Sequence, residues 1–159
     1  MLTVELVPAT CWGSNLRGQL PREQWDALRK RTYREAAWRC ETCGGKPDAP
    51  LHCHEVWRYD DGRGVQKLAA LKWSGPRCHE ATHPGHANIN GRGAEALEWL
   101  MQVNEWPEPV AGDYQAAAFA QWQERSQRDW DCDLSLLRDY GIPVRAMLDD
   151  HGRQRRVIA

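Results

Sequence analysis

Most of the cysteine and histidine residues of this chain lie in one short window, and their spacing is typical of metal ligands. Cys40 and Cys43 form a Cys-x-x-Cys pair, in which two thiolates separated by two residues can turn onto one tetrahedral ion. Cys78, His79 and His83 form a Cys-His-x-x-x-His run, which places two imidazoles one turn apart on one face of a helix. Between these groups lies a third, His52-Cys53-His54-Glu55. The sequence therefore predicts metal chemistry.

A β-hairpin followed by a helix is predicted to position these residues. Residues 51–59 are rich in β-compatible side chains and are stopped by the turn-forming residues 60–62. A second strand over 65–71, or as far as Trp73, would complete the hairpin. After a turn at 74–76, a short helix is expected from Cys78 to about His83, because Pro84-Gly85 follows it.

The flanking segments predict an α+β fold with helices on both sides of this core. The length of 159 residues favours one domain, which we place at residues 1–148 with its core at about 38–90. The segment 149–159 is expected to be a disordered tail. The remaining predicted elements are a strand over 2–7, a helix from Pro21 to about Trp38, a helix from Ala94 that ends near Pro107, a helix from about Asp113, and a short element around 134–137.

Composition narrows the class of protein. The net charge of −1 produces no global field that would draw the protein onto nucleic acid. The N-terminus lacks a basic region followed by a long apolar run, and no later segment approaches the roughly 18 apolar residues of a membrane span. We therefore expect a cytoplasmic protein without a membrane segment. Reducing conditions there favour thiolate ligands over disulfides.

Two features could contact nucleic acid. Basic residues exceed acidic ones between residues 17 and 39, and Arg29, Arg31 and Arg34 lie on the predicted helix there. A solvated helix face and a surface that contacts DNA phosphates are equally good interpretations of this excess. The nine Trp residues are spread evenly, which predicts core anchors in successive elements, and a base-stacking role for one or two of them is the alternative.

The strand-strand-helix order with these ligands resembles the HNH, or ββα-metal, nuclease motif. The resemblance covers residues 38–90, and the flanks are similar to small bacterial and phage proteins labelled HNH endonucleases. Members of that family bind a structural zinc through two Cys-x-x-Cys pairs that bracket the hairpin. One of their His residues activates water, and other polar groups hold one divalent ion at the scissile phosphate. The flanking pieces are Glu5-Leu6-Val7-Pro8, Trp12, Asn15-Leu16-Arg17, Gly91-Arg92-Gly93 and Val103-Asn104.

The resemblance implies a DNA endonuclease. Hydrolysis of a phosphodiester needs a base that deprotonates water and a cation that stabilises the developing charge. His54 is the candidate base, because neutral imidazole accepts a proton near physiological pH. His79 and His83 would hold the divalent ion, such as Mg²⁺, Mn²⁺ or Ni²⁺. Glu55 is either a metal ligand or the group that orients an imidazole.

The strand leaves two registers open. Either Cys53-His54 or His54-Glu55 can correspond to the paired residues of the motif, and the second register places Glu55 where the base belongs. In a regular strand His52 and His54 share one face and Cys53 and Glu55 the other. Only one of these pairs can then point at the helix, unless the strand breaks there.

Two departures from the family pattern define an alternative. Cys40, Cys43 and Cys78 are expected to hold a structural zinc, but Gly75 stands where the family has another thiolate. Ala70 stands where the family has Asn, and its side chain can neither coordinate nor hydrogen-bond. The alternative is a zinc-stabilised module that binds nucleic acid or protein without catalysis.

Overall fold

A long antiparallel hairpin forms the centre of the computed structural model, which describes residues 1–46, 49–143, 146–148 and 151–158. Strand β1 (His52–Asp60) pairs with β2 (Val65–Ser74), with His54 opposite Lys72. The register shifts by one residue between Val56 and Trp57. The predicted hairpin is therefore confirmed, and β2 extends to Ser74.

Short strands extend the hairpin into a mixed sheet. β3 (Asp131–Asp133) lies parallel to β2, and β6 (Val157–Ile158) lies parallel to β3. The order β1-β2-β3-β6 leaves β1 at an edge. β4 (Met147–Leu148) and β5 (Gln154–Arg155) form a second, two-stranded sheet. β5 and β6 lie within the segment for which a disordered tail was expected, and Asp149, Asp150 and Ala159 of that segment lie outside the described residues.

Helices precede and follow the hairpin, which agrees with the predicted α+β class. Pro76 occupies the first helical position of α3, where a missing N–H costs nothing, so α3 begins two residues before the predicted start. Helix α6 begins at Glu108 instead of about Asp113. The helices are α1 (Leu16–Gln19), α2 (Arg22–Glu35), α3 (Pro76–Thr82), α4 (Pro84–Ile89), α5 (Gly93–Asn104) and α6 (Glu108–Arg125), with 3₁₀ turns at Ala9–Cys11 and Ser135–Tyr140.

Two hydrophobic clusters support the hairpin. One joins α2 to the sheet through Leu28, Leu68 and Leu71. The other packs α3, α4 and α5 together and contains Cys78 and Leu100. Burying this much apolar surface stabilises the relative positions of β1 and α3, which carry the histidine residues. No helix in the described part of the chain has the length and apolarity that crossing a bilayer requires.

The N-terminal segment differs from its prediction. Residues 2–7 are not a strand. Leu2 donates its N–H to Asn104 Oδ1 (2.7 Å), and Glu5 donates its N–H to the carbonyl of Thr82 (2.7 Å). The alternating side chains pack on helices α3 and α5. The segment is therefore extended without joining a sheet. It brings Glu5 to the C-terminal end of α3.

Candidate metal centres

Three cysteines converge where α2, β2 and α3 meet. The Sγ atoms of Cys40, Cys43 and Cys78 all lie within 4.8 Å of one another. Thiolates around one tetrahedral zinc at 2.3 Å are about 3.8 Å apart, so a small contraction would close the site. The Cys40–Cys43 turn is closed by two backbone bonds, from the N–H of Cys40 to Gly45 O (2.9 Å) and from Gly44 N–H to Cys40 O (2.8 Å). The three cysteines can hold a metal ion.

Hydrogen bonds and burial shift the pKa values of Cys40 and Cys78 in opposite directions. Burial raises the pKa of Cys40, but N–H groups of Gly75, Cys43 and Thr42 directed at its sulfur outweigh burial, and the net pKa is lowered. Burial raises the pKa of Cys78 to about 12, against a hydrogen bond from the Trp99 Nε1–H at 3.2 Å. Gly75 therefore contributes a backbone N–H to the Cys40 sulfur.

Three histidines converge at the other end of α3. His54 comes from β1, and His79 and His83 come from α3 and the residue that caps it. One ring nitrogen of each lies within 4.8 Å of the others. His54 Nδ1 and His83 Nε2 are 3.2 Å apart. The predicted approach of the helix imidazoles to His54 is confirmed, and we call these three residues the histidine group.

Glu5 fixes both rings of the closest pair. His83 Nδ1 lies 3.2 Å from the Glu5 carbonyl oxygen, which can only accept, so this nitrogen carries the proton. His54 Nε2 lies 3.2 Å from Glu5 Oε2, which accepts in the same way. Neutral His54 and His83 rings held like this would direct two lone pairs at each other across 3.2 Å. A cation between them would bind both lone pairs.

A cation can occupy this position, and it would also use the third nitrogen, on His79. Two imidazole nitrogens bound to one ion at 2.0–2.1 Å are about 2.8–3.4 Å apart for octahedral to tetrahedral angles. Burial, with a smaller contribution from neighbouring histidines, lowers the pKa of His79 to about 3 and that of His83 to about 4. Both rings therefore stay neutral and able to bind a metal.

Glu55 lies on edge strand β1 and shares a cavity with the histidine group. It borders a cavity of about 300 Å³ that His54, His79 and His83 also line. Its Oε1 accepts the backbone N–H of Leu16 at 2.8 Å. Burial raises the pKa of Glu55 to about 7, although the hydrogen bond from the Leu16 N–H acts to lower it. Because β1 is an edge strand, residues from both of its faces reach this cavity.

A basic cleft of about 770 Å³ leads to the same place. Arg17, Arg22 and Arg29 line it, together with His52, His79 and Glu55. Arg29 pairs with Asp26 at 2.7 Å, whereas Arg17 and Arg22 have no carboxylate within 4.0 Å in the ranges that the structure describes. We call this the basic cleft.

The other two arginines of the predicted DNA contact lie elsewhere. Arg31 pairs with Glu35 at 2.9 Å and stacks over Tyr140. Arg34 donates to the carbonyl of Lys30 on its own helix. Of the three predicted residues, only Arg29 faces the basic cleft.

Sequence reasoning missed two residues of the site. Glu5 is the only charged residue among the first eight, which was the available signal. His52 stacks on His79, with ring centroids 4.5 Å apart and planes 15° apart, which restricts the His79 ring. Ala70 lies opposite Val56 and contributes no polar atom. Comparisons of the chain with protein-family models, curated proteins and solved structures gave no match, so the functional argument rests on this geometry.

Proposed function

We propose that this protein is a metal-dependent nuclease that hydrolyses DNA phosphodiester bonds at the histidine group. The observation that carries the proposal is the pair of opposed nitrogens, His54 Nδ1 and His83 Nε2, with His79 beside them. Their placement on the first strand of a hairpin and on the following helix resembles the ββα-metal core of HNH nucleases. The Cys40, Cys43 and Cys78 group is the structural zinc site of this proposal.

In this proposal His54 is a metal ligand and not the base that the sequence suggested. Its Nδ1 faces the position shared with His83, and its Nε2 faces the Glu5 carboxylate. Neither nitrogen is left to take a proton from water. A divalent ion bound by the three imidazoles would stabilise the negative charge that develops on the phosphorane and the leaving oxygen.

Glu55 takes the role of general base, as the second register of the motif suggested. Glu55 borders the cavity that the histidine group also lines, so in this proposal a water there has Glu55 as its proton acceptor. The Leu16 N–H holds the carboxylate at that edge. Glu55 accepts the proton of the attacking water as the new P–O bond forms, and the leaving oxygen departs with the bond electrons.

The basic cleft holds the DNA backbone on the approach to the site. Arg17 and Arg22 offer guanidinium groups without carboxylate partners among the described residues, and such groups bind phosphate oxygens with charge-assisted bonds. The net charge of −1 means that binding depends on this local cluster. Affinity for DNA should therefore decrease steeply with salt.

The test combines metal binding with DNA cleavage. Purified protein is incubated with supercoiled plasmid and Mg²⁺, Mn²⁺, Ni²⁺ or Zn²⁺, and ion binding is measured separately by calorimetry. We expect at least one ion to support nicking. His79→Ala should lose ion binding and nicking together. Glu55→Gln should keep ion binding and lose about 10²–10⁴-fold in rate, the usual cost of removing a general base.

His151→Ala is the matched control, because His151 is exposed and lies outside the histidine group and its clefts. It should nick like the wild type. Wild-type protein that binds DNA and the ion but nicks with none of the four metals would contradict the proposal. That result would favour the non-catalytic binding module, with Ala70 as the first position to examine.

A further inference from the structure

A second cleft, of about 720 Å³, opens beside the histidine group. It shares His52 and His79 with the basic cleft, and His83 also lines it. Its other walls are mainly apolar and aromatic, and we call it the aromatic cleft. Its apolar lining includes Leu6, Val7, Trp12, Ile89, Phe119 and Trp122.

The two Trp residues of the aromatic cleft present ring faces and not donors. Trp12 and Trp122 both donate their Nε1–H to the carbonyl of Val7 at 2.9 Å. Their rings lie nearly parallel, 20° apart, with centroids 6.5 Å apart. Because both indole N–H groups are used internally, these side chains can offer a ligand only π surface and apolar contact.

The aromatic cleft exposes large apolar side chains that folding alone would bury. Ile89 is 84% exposed and Trp12 is 50% exposed, although other Trp residues, such as Trp73, are buried. Contiguous exposed apolar surface of this kind marks a binding site more often than a passive surface. A ligand bound in this cleft must be flat or apolar where it contacts the rings. The same ligand molecule must also reach the histidine group.

We propose that the aromatic cleft receives an unpaired base of the DNA strand whose phosphate lies at the histidine group. The substrate is therefore single-stranded or locally unpaired DNA. This inference rests on the proposed nuclease function and specifies its substrate. Along one strand, phosphates occupy the basic cleft, the scissile phosphate lies at the histidine group, and the adjacent base enters the aromatic cleft.

Duplex DNA does not fit this arrangement. Paired bases present only their edges to a protein, whereas stacking on an aromatic side chain needs the face of an unpaired base. Arg77 also lines the cleft, and it has no carboxylate within 4.0 Å in the described part of the chain. Its guanidinium lies 3.7 Å from the Trp99 ring. This contact holds the positive charge of Arg77 at the place where the next phosphate would follow the inserted base.

Binding without added divalent ion tests the cleft separately from catalysis. Fluorescence anisotropy would compare a labelled single strand, the same strand in a duplex, and the same strand carrying abasic residues. The unpaired strand should bind most tightly. Phe119→Ala should weaken its binding by about 5- to 150-fold, equivalent to roughly 1–3 kcal/mol for one stacked base, and should change duplex binding by less than about twofold.

Controls separate stacking from folding. Phe119→Trp keeps an aromatic face and should retain tight binding. Val110→Ala removes an exposed apolar side chain from the same helix outside the cleft and should have no effect. If Phe119→Ala fails to fold, Ile89→Asp replaces it, because Ile89 is largely exposed. Its added negative charge in the cleft should weaken strand binding by a similar factor.

Equal affinity for duplex and single strand, full affinity for the abasic strand, or equal weakening of both DNA forms by Phe119→Ala would overturn the inference. Cleavage arms with Mn²⁺ then separate the two proposals. Metal-dependent cleavage that acts equally on duplex and single strand would refute the base pocket and leave the nuclease. Cleft-dependent preference for the unpaired strand without cleavage by any ion would refute the nuclease and leave the pocket.

Discussion

Replacing Glu5 tests the geometry of the histidine group most directly. Its carboxylate accepts from His54 Nε2 at 3.2 Å and is only 20% exposed, while its backbone carbonyl accepts from His83. Carboxylates that orient a metal-bound imidazole are typically worth 10–100-fold in metal affinity. Glu5→Gln keeps an acceptor but removes the charge, so we expect a loss near tenfold. Glu5→Ala removes both, so we expect a loss near one hundredfold.

The effect on stability follows from mass action. An ion at one hundred times its Kd stabilises the folded protein by about 2.7 kcal/mol. A 10- to 100-fold weaker site leaves about 1.4 to 0.4 kcal/mol at the same ion concentration. For a chain of this length 1 kcal/mol corresponds to roughly 2–4 °C. The rise in Tm on adding the ion should therefore fall from about 5–11 °C to about 1–6 °C.

The assay is calorimetry and thermal unfolding with Ni²⁺, since imidazole sites suit this ion and the cysteine group prefers softer metals. Glu95→Gln is the matched control, because its carboxylate is 66% exposed and pairs with Arg92 on the surface. It should bind Ni²⁺ like the wild type. Unchanged affinity in both Glu5 variants would show that Glu5 does not orient a ligand, and would remove the main support for the metal assignment of the histidine group.

Three further outcomes are expected. The pKa of Glu55 is raised to about 7 in the folded protein from an ordinary 4.5, so stability falls as pH rises from 4.5 to 7. As pH rises from 4.5 to 8, the free energy of unfolding of Glu55→Gln should increase by up to about 3 kcal/mol relative to that of the wild type, as measured by urea unfolding. If the difference between the two proteins does not change with pH, the burial of this carboxylate is refuted. The pKa values of His79 and His83 are lowered, so the unfolded chain binds more protons below pH 6.5, and metal-free protein should lose stability as pH falls from 6.5 towards 4. His79→Gln should reduce this loss of stability at acid pH, and an equally large loss in the variant would contradict the assignment to His79. Gly75→Cys should raise zinc affinity at Cys40 by at least about tenfold, because even a partner outside the ligand shell is worth roughly that much. Chelator competition would measure the affinity, and an unchanged value would mean that position 75 does not reach the ion.

Local patterns were sufficient to predict the hairpin and the two ligand groups. The alternating strand residues, the Asp60-Asp61-Gly62 turn and the Cys-x-x-Cys spacing act over a few residues, so the sequence alone carries them. His79 and His83 share a helix face for the same reason. The placement of His54 at the same site came from the resemblance to the HNH motif, because no local pattern links it to the helix.

Contacts between distant segments were not predictable. Glu5 is 49 residues from His54 and 78 from His83, and no local pattern links them. The N-terminal segment was predicted as a strand because an extended chain on a helical surface has the same alternation as a strand in a sheet. Its partners, Asn104 and Thr82, could be found only from the structure.

The basic residues show how an available signal was overlooked. Arg22 and Arg29 are seven residues apart on α2, which at 100° per residue puts them within about 20° of each other. Arg31 and Arg34 lie about 160° and 140° away from Arg29 on the same helix. A count of basic residues cannot separate these directions. Helical phase would have selected Arg22 with Arg29.

Backbone hydrogen bonds hold the cysteine group together with three thiols in the described part of the chain. The Cys-x-x-Cys turn is fixed to β2 by Glu41 N–H bonding to Trp73 O at 2.9 Å and by Trp73 N–H bonding to Glu41 Oε2 at 2.7 Å. Gly75 adds an N–H to the Cys40 sulfur. These bonds hold the start of α3 against the end of β2 even with three thiolates. Because α3 carries His79 and His83, the geometry of the proposed active site depends on this junction and not on full zinc coordination.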